Sequence, residues 1–175
     1  MDTCIPLMVH SDPVITVPLV GDFETTYRTE YPGLVAVATA LTGDSRDSED
    51  LVQDTMVKAY LRWDRVGRLE RPGGWCHRVL LNACRSLFRR RAVARRYWSR
   101  QRPEPSVDEP SADVIAFWEV VRGMPERPRT VVALYYAGGH SFAEISRLID
   151  APDATVRSDW LRARTVLALA LGAQR

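Results

Sequence analysis

Apolar residues recur at three- and four-residue steps through most of the chain, which is the spacing of one face of an α-helix. In the first half this pattern predicts three helices, over residues 23–42, 45–63 and 73–98. Pro32 and Gly33 interrupt the first of them, which leaves a separate turn as the alternative for its first part. The core face predicted for the second helix consists of Val52, Met56, Tyr60 and Trp63. The core face predicted for the third helix consists of Trp75, Val79, Leu80, Ala83, Leu87 and Phe88. Gly43 and Asp44 suit the end of the first helix and the start of the second.

The segment PEPSVDEPSAD, residues 103–113, interrupts the helical pattern. It carries three prolines and four acids in eleven residues and therefore predicts an extended linker. Helical patterns resume over residues 113–123 and 127–137, and Ser141 and Glu144 then have the spacing of a capping box. A last helix begins after the short turn DAP. The final two helices therefore predict a helix-turn-helix, with a plain helical hairpin as the alternative.

These patterns together predict an all-α fold of two small helical domains joined by an acidic, proline-rich linker. The predicted divisions are a flexible N-terminal tail over residues 1–22, a first domain over 23–102, the linker over 103–112 and a second domain over 113–175. The tail is fairly apolar, but it has no basic region and three prolines interrupt it. We therefore expect neither a signal peptide nor a membrane helix.

Charge is strongly segregated along the chain, although the formal net charge is only +2. Residues 44–54 hold five acids and one arginine, a net of −4, whereas residues 62–102 hold thirteen arginines and two acids, a net of +11. The basic run suggests a polyanion as its partner, and the acidic run suggests a different partner. A solvated surface is the plainer alternative for the basic run.

Residues that carry enzymatic chemistry form no recognisable arrangement in the sequence. His10, His77 and His140 lie in separate segments, without the neighbours of a nucleophilic triad. The acidic run lacks the glycine of a calcium loop, and the three cysteines lack the paired spacing of a zinc site. We therefore expect no catalytic residue, no metal, no cofactor, and reduced cysteines in a cytosolic protein. Carboxylates at i, i+3 and i+7 leave a divalent-metal nucleic-acid enzyme as a minority alternative.

The arginine-rich third helix has the side chains that melted DNA requires. Arg78 and Arg85 can neutralise phosphates, and Asn82 can read the edge of a displaced base. Trp75 can offer a stacking platform, with core packing as its plainer alternative. In the helix-turn-helix, base and phosphate contacts are made from the early turns of the recognition helix. Those positions are Thr155, Arg157, Ser158 and Arg162.

Two blocks of this sequence resemble the extracytoplasmic-function (ECF) sigma factors of bacterial RNA polymerase. DSEDLVQDTMVKAYLRWDRV followed by RPGGWCHRVLLNACRSLFRRR resembles their region two. MPERPRTVVALYYAGGHSFAEISRLIDAPDATVRSDWLRAR resembles their region four, and the resemblance covers residues 23–170 with the linker included. It implies a cytoplasmic promoter-specificity subunit without enzymatic activity, which melts the minus-ten element with region two and reads the minus-thirty-five element with region four.

The same resemblance implies a role for each group of candidate residues. The residues that would bind the clamp helices of the largest polymerase subunit are Asp50, Gln53 and Asp54. Those that would hold the minus-ten element are Trp75, Arg78, Asn82 and Arg85. Those that would contact the minus-thirty-five element are Thr155, Arg157, Ser158 and Arg162. The second-largest polymerase subunit and an anti-sigma protein are further partners in this family, and no residue here identifies the anti-sigma protein.

Two positions depart from the family pattern Gly-Thr-Val-Lys/Arg-Ser-Arg, where this chain has ATVRSD. Ala154 replaces the glycine, and Asp159 replaces a basic residue. We expect the Asp159 carboxylate either to repel DNA phosphate or to pair with Arg162 or Arg164. The rival hypothesis for the whole chain is a stand-alone helix-turn-helix regulator, which needs the second domain but gives the acidic helix no task.

Overall fold

The computed structural model describes residues 22–94 and 111–172, and every element within these ranges is helical, as predicted. The first half contains α1 Phe23–Thr42, α2 Ser45–Tyr60, α3 Trp63–Val66 and α4 Pro72–Ala94. The second half contains α5 Ala112–Gly123, α6 Glu126–Val132, a π-helical turn Ala133–Ala137, α7 Phe142–Ile149 and α8 Asp153–Gly172. Residues 1–21 of the predicted tail and residues 103–110 of the predicted linker lie outside the described residues. Within the described ranges, no helix has the length and apolar character needed to cross a membrane.

Glycines and short polar side chains set the helix ends at the predicted positions. Gly43 ends α1 in the left-handed conformation at φ 72°. The Asp44 side chain accepts a hydrogen bond from a first-turn amide of α2. Ser141 and Glu144 form the reciprocal capping box that starts α7. Asp22, which the sequence analysis assigned to the tail, caps α1 through its carboxylate.

One apolar core continues from the first half of the chain into the second. Its fully buried members from α1, α2 and α4 include Leu34, Val37, Val52 and Leu80. Its fully buried members from the second half include Val131, Leu134, Ile145 and Val156. A smaller cluster joins α5, α6 and α8 through Val121, Met124, Val132, Ala163 and Leu167. The two halves therefore pack against each other, with α1 on the π-helical turn and α4 beside α7.

The core face predicted for the second helix is correct at Val52 and Met56 and wrong at Tyr60. Tyr60 is 64% exposed because α2 ends there and the chain turns before α3 begins. The Tyr60 ring meets the Phe23 ring edge-on at 5.1 Å, and the Trp63 ring meets it at 5.2 Å. Aromatic contacts near the surface, rather than burial, therefore tie the start of α1 to the end of α2.

Candidate nucleic-acid and partner interfaces

The acidic residues of α2 divide between structural and exposed positions. Asp44 caps the helix, and Asp47 pairs with Arg91 of α4. The three residues predicted to bind a protein partner are exposed and lie on one helix face. They are Asp50, Gln53 and Asp54. Because exposed carboxylates repel phosphate, this face suits a protein partner better than DNA.

The acidic face continues into an exposed apolar surface that the sequence analysis missed. Val57 is 56% exposed and Leu61 is 73% exposed. Both follow Asp50 and Asp54 at helical steps, so the four side chains share one side of the helix and its C-terminal turn. We call Asp50, Gln53, Asp54, Val57 and Leu61 the α2 face. The sequence does contain a sign of this exposed apolar surface, because Val57 is apolar although it lies outside the predicted core stripe.

The described residues contain no group of three His, Cys, Asp or Glu side chains that could hold a metal ion. Cys76 and Cys84 are free and buried. Burial raises the pKa of Cys76 to about 11 and that of Cys84 to about 12. Both thiols therefore stay protonated at neutral pH and act as small apolar side chains of the core.

Three of the four predicted minus-ten residues form a row along α4. Arg78, Asn82 and Arg85 follow one another at helical steps, and Arg85 Nη1 donates to Asn82 Oδ1 at 3.2 Å. Arg78 and Asn82 are exposed, and Arg85 is half-buried. Trp75 is half-buried and packs against the apolar core. We call Arg78, Asn82 and Arg85 the α4 row, and it presents two cations and an amide. The Trp75 indole packs against the core, which was the plainer alternative for this residue.

Groups from the second half bind both arginines of the α4 row, although Arg78 and Asn82 stay exposed. Arg78 Nη2 donates to the backbone carbonyl of Arg147 at 2.6 Å, and Arg85 Nε pairs with Glu126 at 2.7 Å. The space that remains is a cleft of about 350 Å³. Its lining residues are Arg78, Leu81, Asn82, Arg85, Leu148, Ile149 and Asp150. In this closed arrangement, oxygens of the second half occupy the places where phosphate oxygens would meet the two guanidiniums.

Polar side chains also lie at the junction between the two halves, where His77 is buried and Glu30 and His140 are half-buried. His77 Nε2 of α4 lies 3.6 Å from Glu30 Oε2 of α1, and the His77 ring meets His140 edge-on at 4.5 Å between centroids. The hydrogen bond with His77 lowers the pKa of Glu30, and burial lowers the pKa of His140. Protonation of His140 therefore opposes the packing of the two halves.

Helices α7 and α8 form the predicted helix-turn-helix, joined by residues 150–152. Asp150 adopts the left-handed conformation, at φ 53°, which turns the chain sharply between the helices. Of the predicted recognition residues, Arg157, Ser158 and Arg162 are exposed and Thr155 is half-buried. Arg157 Nε pairs with Asp153 at 2.6 Å, and its guanidinium lies 5.0 Å above the Phe142 ring. The first turns of α8 therefore present both polar and cationic groups to solvent.

Asp159 pairs with Arg162, which is one of the two outcomes expected for it. Its side chain is 1% exposed, on the buried side of α8. The carboxylate accepts a hydrogen bond from Arg162 Nη2 at 2.5 Å and bonds from Arg127 of α6. Arg164, the other expected partner, lies over an aromatic ring instead. Arg127 was not among the predicted residues, and it comes from outside the helix-turn-helix.

Comparison with known protein families gives two matches in chain order. Residues 26–102 match the model described as "Sigma-70 region 2", and residues 115–167 match "Sigma-70, region 4". The RNA polymerase sigma-E factor of Streptomyces avermitilis is 28% identical over 145 residues, which cover 81% of this chain and 80% of that protein. The ECF RNA polymerase sigma factor SigM of Mycobacterium tuberculosis is 27% identical over 164 residues, covering 86% and 77%.

Two solved structures resemble the whole described architecture. The sigma factor RpoE from Bartonella quintana, solved in complex with the anti-sigma factor NepR, matches with a TM-score of 0.73 and 25% identity. That match covers 88% of this chain and 99% of the other. CnrH, solved in complex with the cytosolic domain of CnrY, matches with a TM-score of 0.67 and 24% identity, covering 87% and 89%, which supports the fold.

Proposed function

This chain belongs to the ECF sigma factors, and we propose which of its surfaces bind RNA polymerase and which bind promoter DNA. As an alternative sigma factor it directs RNA polymerase to promoters. The observation that carries the proposal is the opposition of two surfaces within one region-two match, the carboxylates of α2 and the arginines of α4. We propose that the first binds polymerase, the second binds promoter DNA, and the chain catalyses no reaction itself.

The α2 face is proposed to bind the clamp helices of the largest polymerase subunit. Its carboxylates, Asp50 and Asp54, supply charge and orientation, and the exposed Val57 and Leu61 supply apolar area. Apolar side chains that stay exposed in the free protein gain free energy only when a partner covers them. The combination favours a protein partner with a basic rim and an apolar centre.

The α4 row is proposed to capture the melted minus-ten element. Its guanidiniums can neutralise phosphates of the non-template strand, and the Asn82 amide can pair with the edge of an extruded base. Arg78 and Arg85 are engaged by Arg147 and Glu126 in the closed arrangement. Promoter opening therefore requires the second half of the chain to move away from α4.

The first turns of α8 are proposed to read the minus-thirty-five element in the major groove. Ser158 and Arg162 are exposed along one side of the helix, and Thr155 begins that side. Arg157 adds a cation, although it must exchange its bond with Asp153 for a DNA contact. Serine and threonine hydroxyls and arginine guanidiniums are the groups that read base edges and phosphates.

We further propose that the protein acts in the cytoplasm and has an anti-sigma factor and the second-largest polymerase subunit among its partners. Support for the anti-sigma factor comes from the similar structure of RpoE, which is a complex of a sigma factor with the anti-sigma factor NepR. An anti-sigma factor that stabilised the closed arrangement would keep the α4 row away from promoter DNA.

Charge reversal on the α2 face tests the polymerase assignment. The variant Asp50→Arg/Asp54→Arg should lose most of its affinity for core RNA polymerase, because both exposed carboxylates become cations. The matched control, Asp113→Arg/Glu119→Arg, makes the same charge change on exposed positions of α5 and should bind core normally. Unchanged core affinity of the α2 variant, with DNA binding retained, would favour the stand-alone regulator instead.

A further inference from the structure

A buried carboxylate lies beneath two exposed guanidiniums in the second half of the chain. The Asp159 side chain is 1% exposed, whereas those of Arg127 and Arg162 are 55% and 63% exposed. Arg127 donates from Nε to one carboxylate oxygen and from Nη2 to the other, the latter at 3.3 Å. Arg162 donates from Nη2 at 2.5 Å. Asp159 therefore holds a cation from α6 and a cation from α8 side by side.

This trio has more positive charge and more donors than the carboxylate needs. One guanidinium would neutralise Asp159, so two leave a net charge of +1 at the surface. A guanidinium has five N–H donors, and only three of the ten in this pair are used in the bonds to Asp159. The bond to Asp159 also raises the pKa of Arg127, so this cation stays charged. The exposed side of the pair is thus free to bind a further anion.

We propose that Asp159 is a positioning residue that holds Arg127 and Arg162 as a paired clamp on a backbone phosphate of the minus-thirty-five duplex. Arg127 then becomes a DNA-contacting residue supplied by α6 rather than by the helix-turn-helix. This inference rests on the proposed function, because Arg162 is one of the residues through which α8 meets the promoter. The anion it binds is a phosphodiester of duplex DNA, since α8 carries the recognition residues beside it.

The alternative is that the trio only holds α6 against α8. The two interpretations predict different responses to Asp159→Asn. Removing a negative charge close to DNA strengthens general electrostatic attraction. Losing the carboxylate that orients both guanidiniums weakens their phosphate contacts. A weaker complex despite the more positive protein is therefore the signature of positioning.

The test uses holoenzyme made from core RNA polymerase and the full chain. Its DNA is a promoter fragment from which this holoenzyme has been shown to start transcription. Dissociation constants are measured across a series of potassium chloride concentrations. Arg127→Ala should make the negative slope of log affinity against log salt shallower by about 0.9, the value for one lost phosphate contact. Asp159→Asn should weaken binding severalfold. Arg164→Ala, which removes the same charge from α8 without touching Asp159, should leave the slope nearly unchanged.

The inference would be overturned if Asp159→Asn holoenzyme bound as tightly as wild type or more tightly, or if the slope for Arg127→Ala were unchanged. Equal losses for Arg127→Ala and Arg164→Ala would also contradict a specific clamp. Thermal unfolding and core affinity of each variant separate misfolding from lost DNA contact, and in Arg127→Ala the buried Asp159 carboxylate still has Arg162 as its partner. If wild-type protein fails to bind core polymerase, the proposed function fails. If it initiates normally and the variants match it, only this inference fails.

Discussion

Weakening the ion pairs between the two halves should free the α4 row to bind DNA. The variant Glu126→Gln/Glu144→Gln removes the carboxylates that pair with Arg85 and Arg71 across the junction. Glutamine at the second position keeps the capping box with Ser141, because an amide oxygen can replace the carboxylate oxygen there. The change therefore acts on the closed arrangement and leaves the helix start in place.

The size of the effect follows from the exposure of the two pairs. The Arg85 and Glu126 side chains are 40% and 57% exposed, and those of Arg71 and Glu144 are 58% and 38% exposed. Exposed ion pairs contribute about 0.2–1 kcal/mol each, so losing both weakens closure by about 0.4–2 kcal/mol. That is about a 2- to 30-fold change in the ratio of closed to open molecules. Where the closed form predominates, apparent affinity for DNA rises by up to the same factor.

The assay is the fluorescence anisotropy of a labelled single-stranded oligonucleotide titrated with the full chain at low salt. Removing two carboxylates strengthens DNA binding to some extent wherever they lie. The control Asp113→Asn/Glu119→Gln measures that general effect, because it neutralises two exposed acids of α5 that do not line the cleft. A gain in affinity no larger than that of the control would refute the reasoning.

Three further predictions concern stability and the α2 face. The free energy of unfolding should fall as the pH drops through about 6.5, because the unfolded chain then protonates His140 while its lowered pKa in the fold resists this. Urea denaturation of His140→Gln at about pH 7.5 and about pH 6 should show a flatter dependence, and an equally steep one would contradict the assignment. Leu34→Ala should cost about 2–5 kcal/mol in the same assay, since Leu34 is fully buried in the shared core, and a cost below about 1 kcal/mol would place it outside that core. Val57→Ser/Leu61→Ser should weaken core-polymerase binding and change unfolding by less than about 0.5 kcal/mol, because both side chains are exposed. Unchanged affinity for core polymerase would show that neither side chain takes part in binding it.

Periodicity and capping residues were enough to predict the helices and several of their ends, because both depend on neighbours within a few residues. Gly43, Asp44, Ser141 and Glu144 act in the structure as their local sequence predicts. The predicted burial of Tyr60 was wrong because its helix ends at that residue, and a periodic pattern does not show where burial stops. The prediction was therefore good for local structure and weaker where an element meets solvent.

Contacts between distant elements could not be predicted in the same way. Arg85 and Glu126 are 41 residues apart, and nothing in either local pattern states that they meet. Asp159 was weighed as a pairing residue, yet its second partner, Arg127, comes from another helix. The docking of the two halves is set by shape and by buried area summed over many side chains. Charge segregation nevertheless pointed to the carboxylates of α2 and the arginines of α4, and the structure leaves Asp50, Asp54 and Arg78 exposed.

The most direct test of the account is sequencing of the 5′ ends of RNA made on genomic DNA by core polymerase with and without this protein. We predict discrete start sites that depend on the protein and share one minus-ten and one minus-thirty-five element at a constant spacing. The variant Asp50→Arg/Asp54→Arg should abolish these starts. RNA ends that are the same with and without the protein, in reactions where it is folded, would contradict the central claim that it is the promoter-specificity subunit.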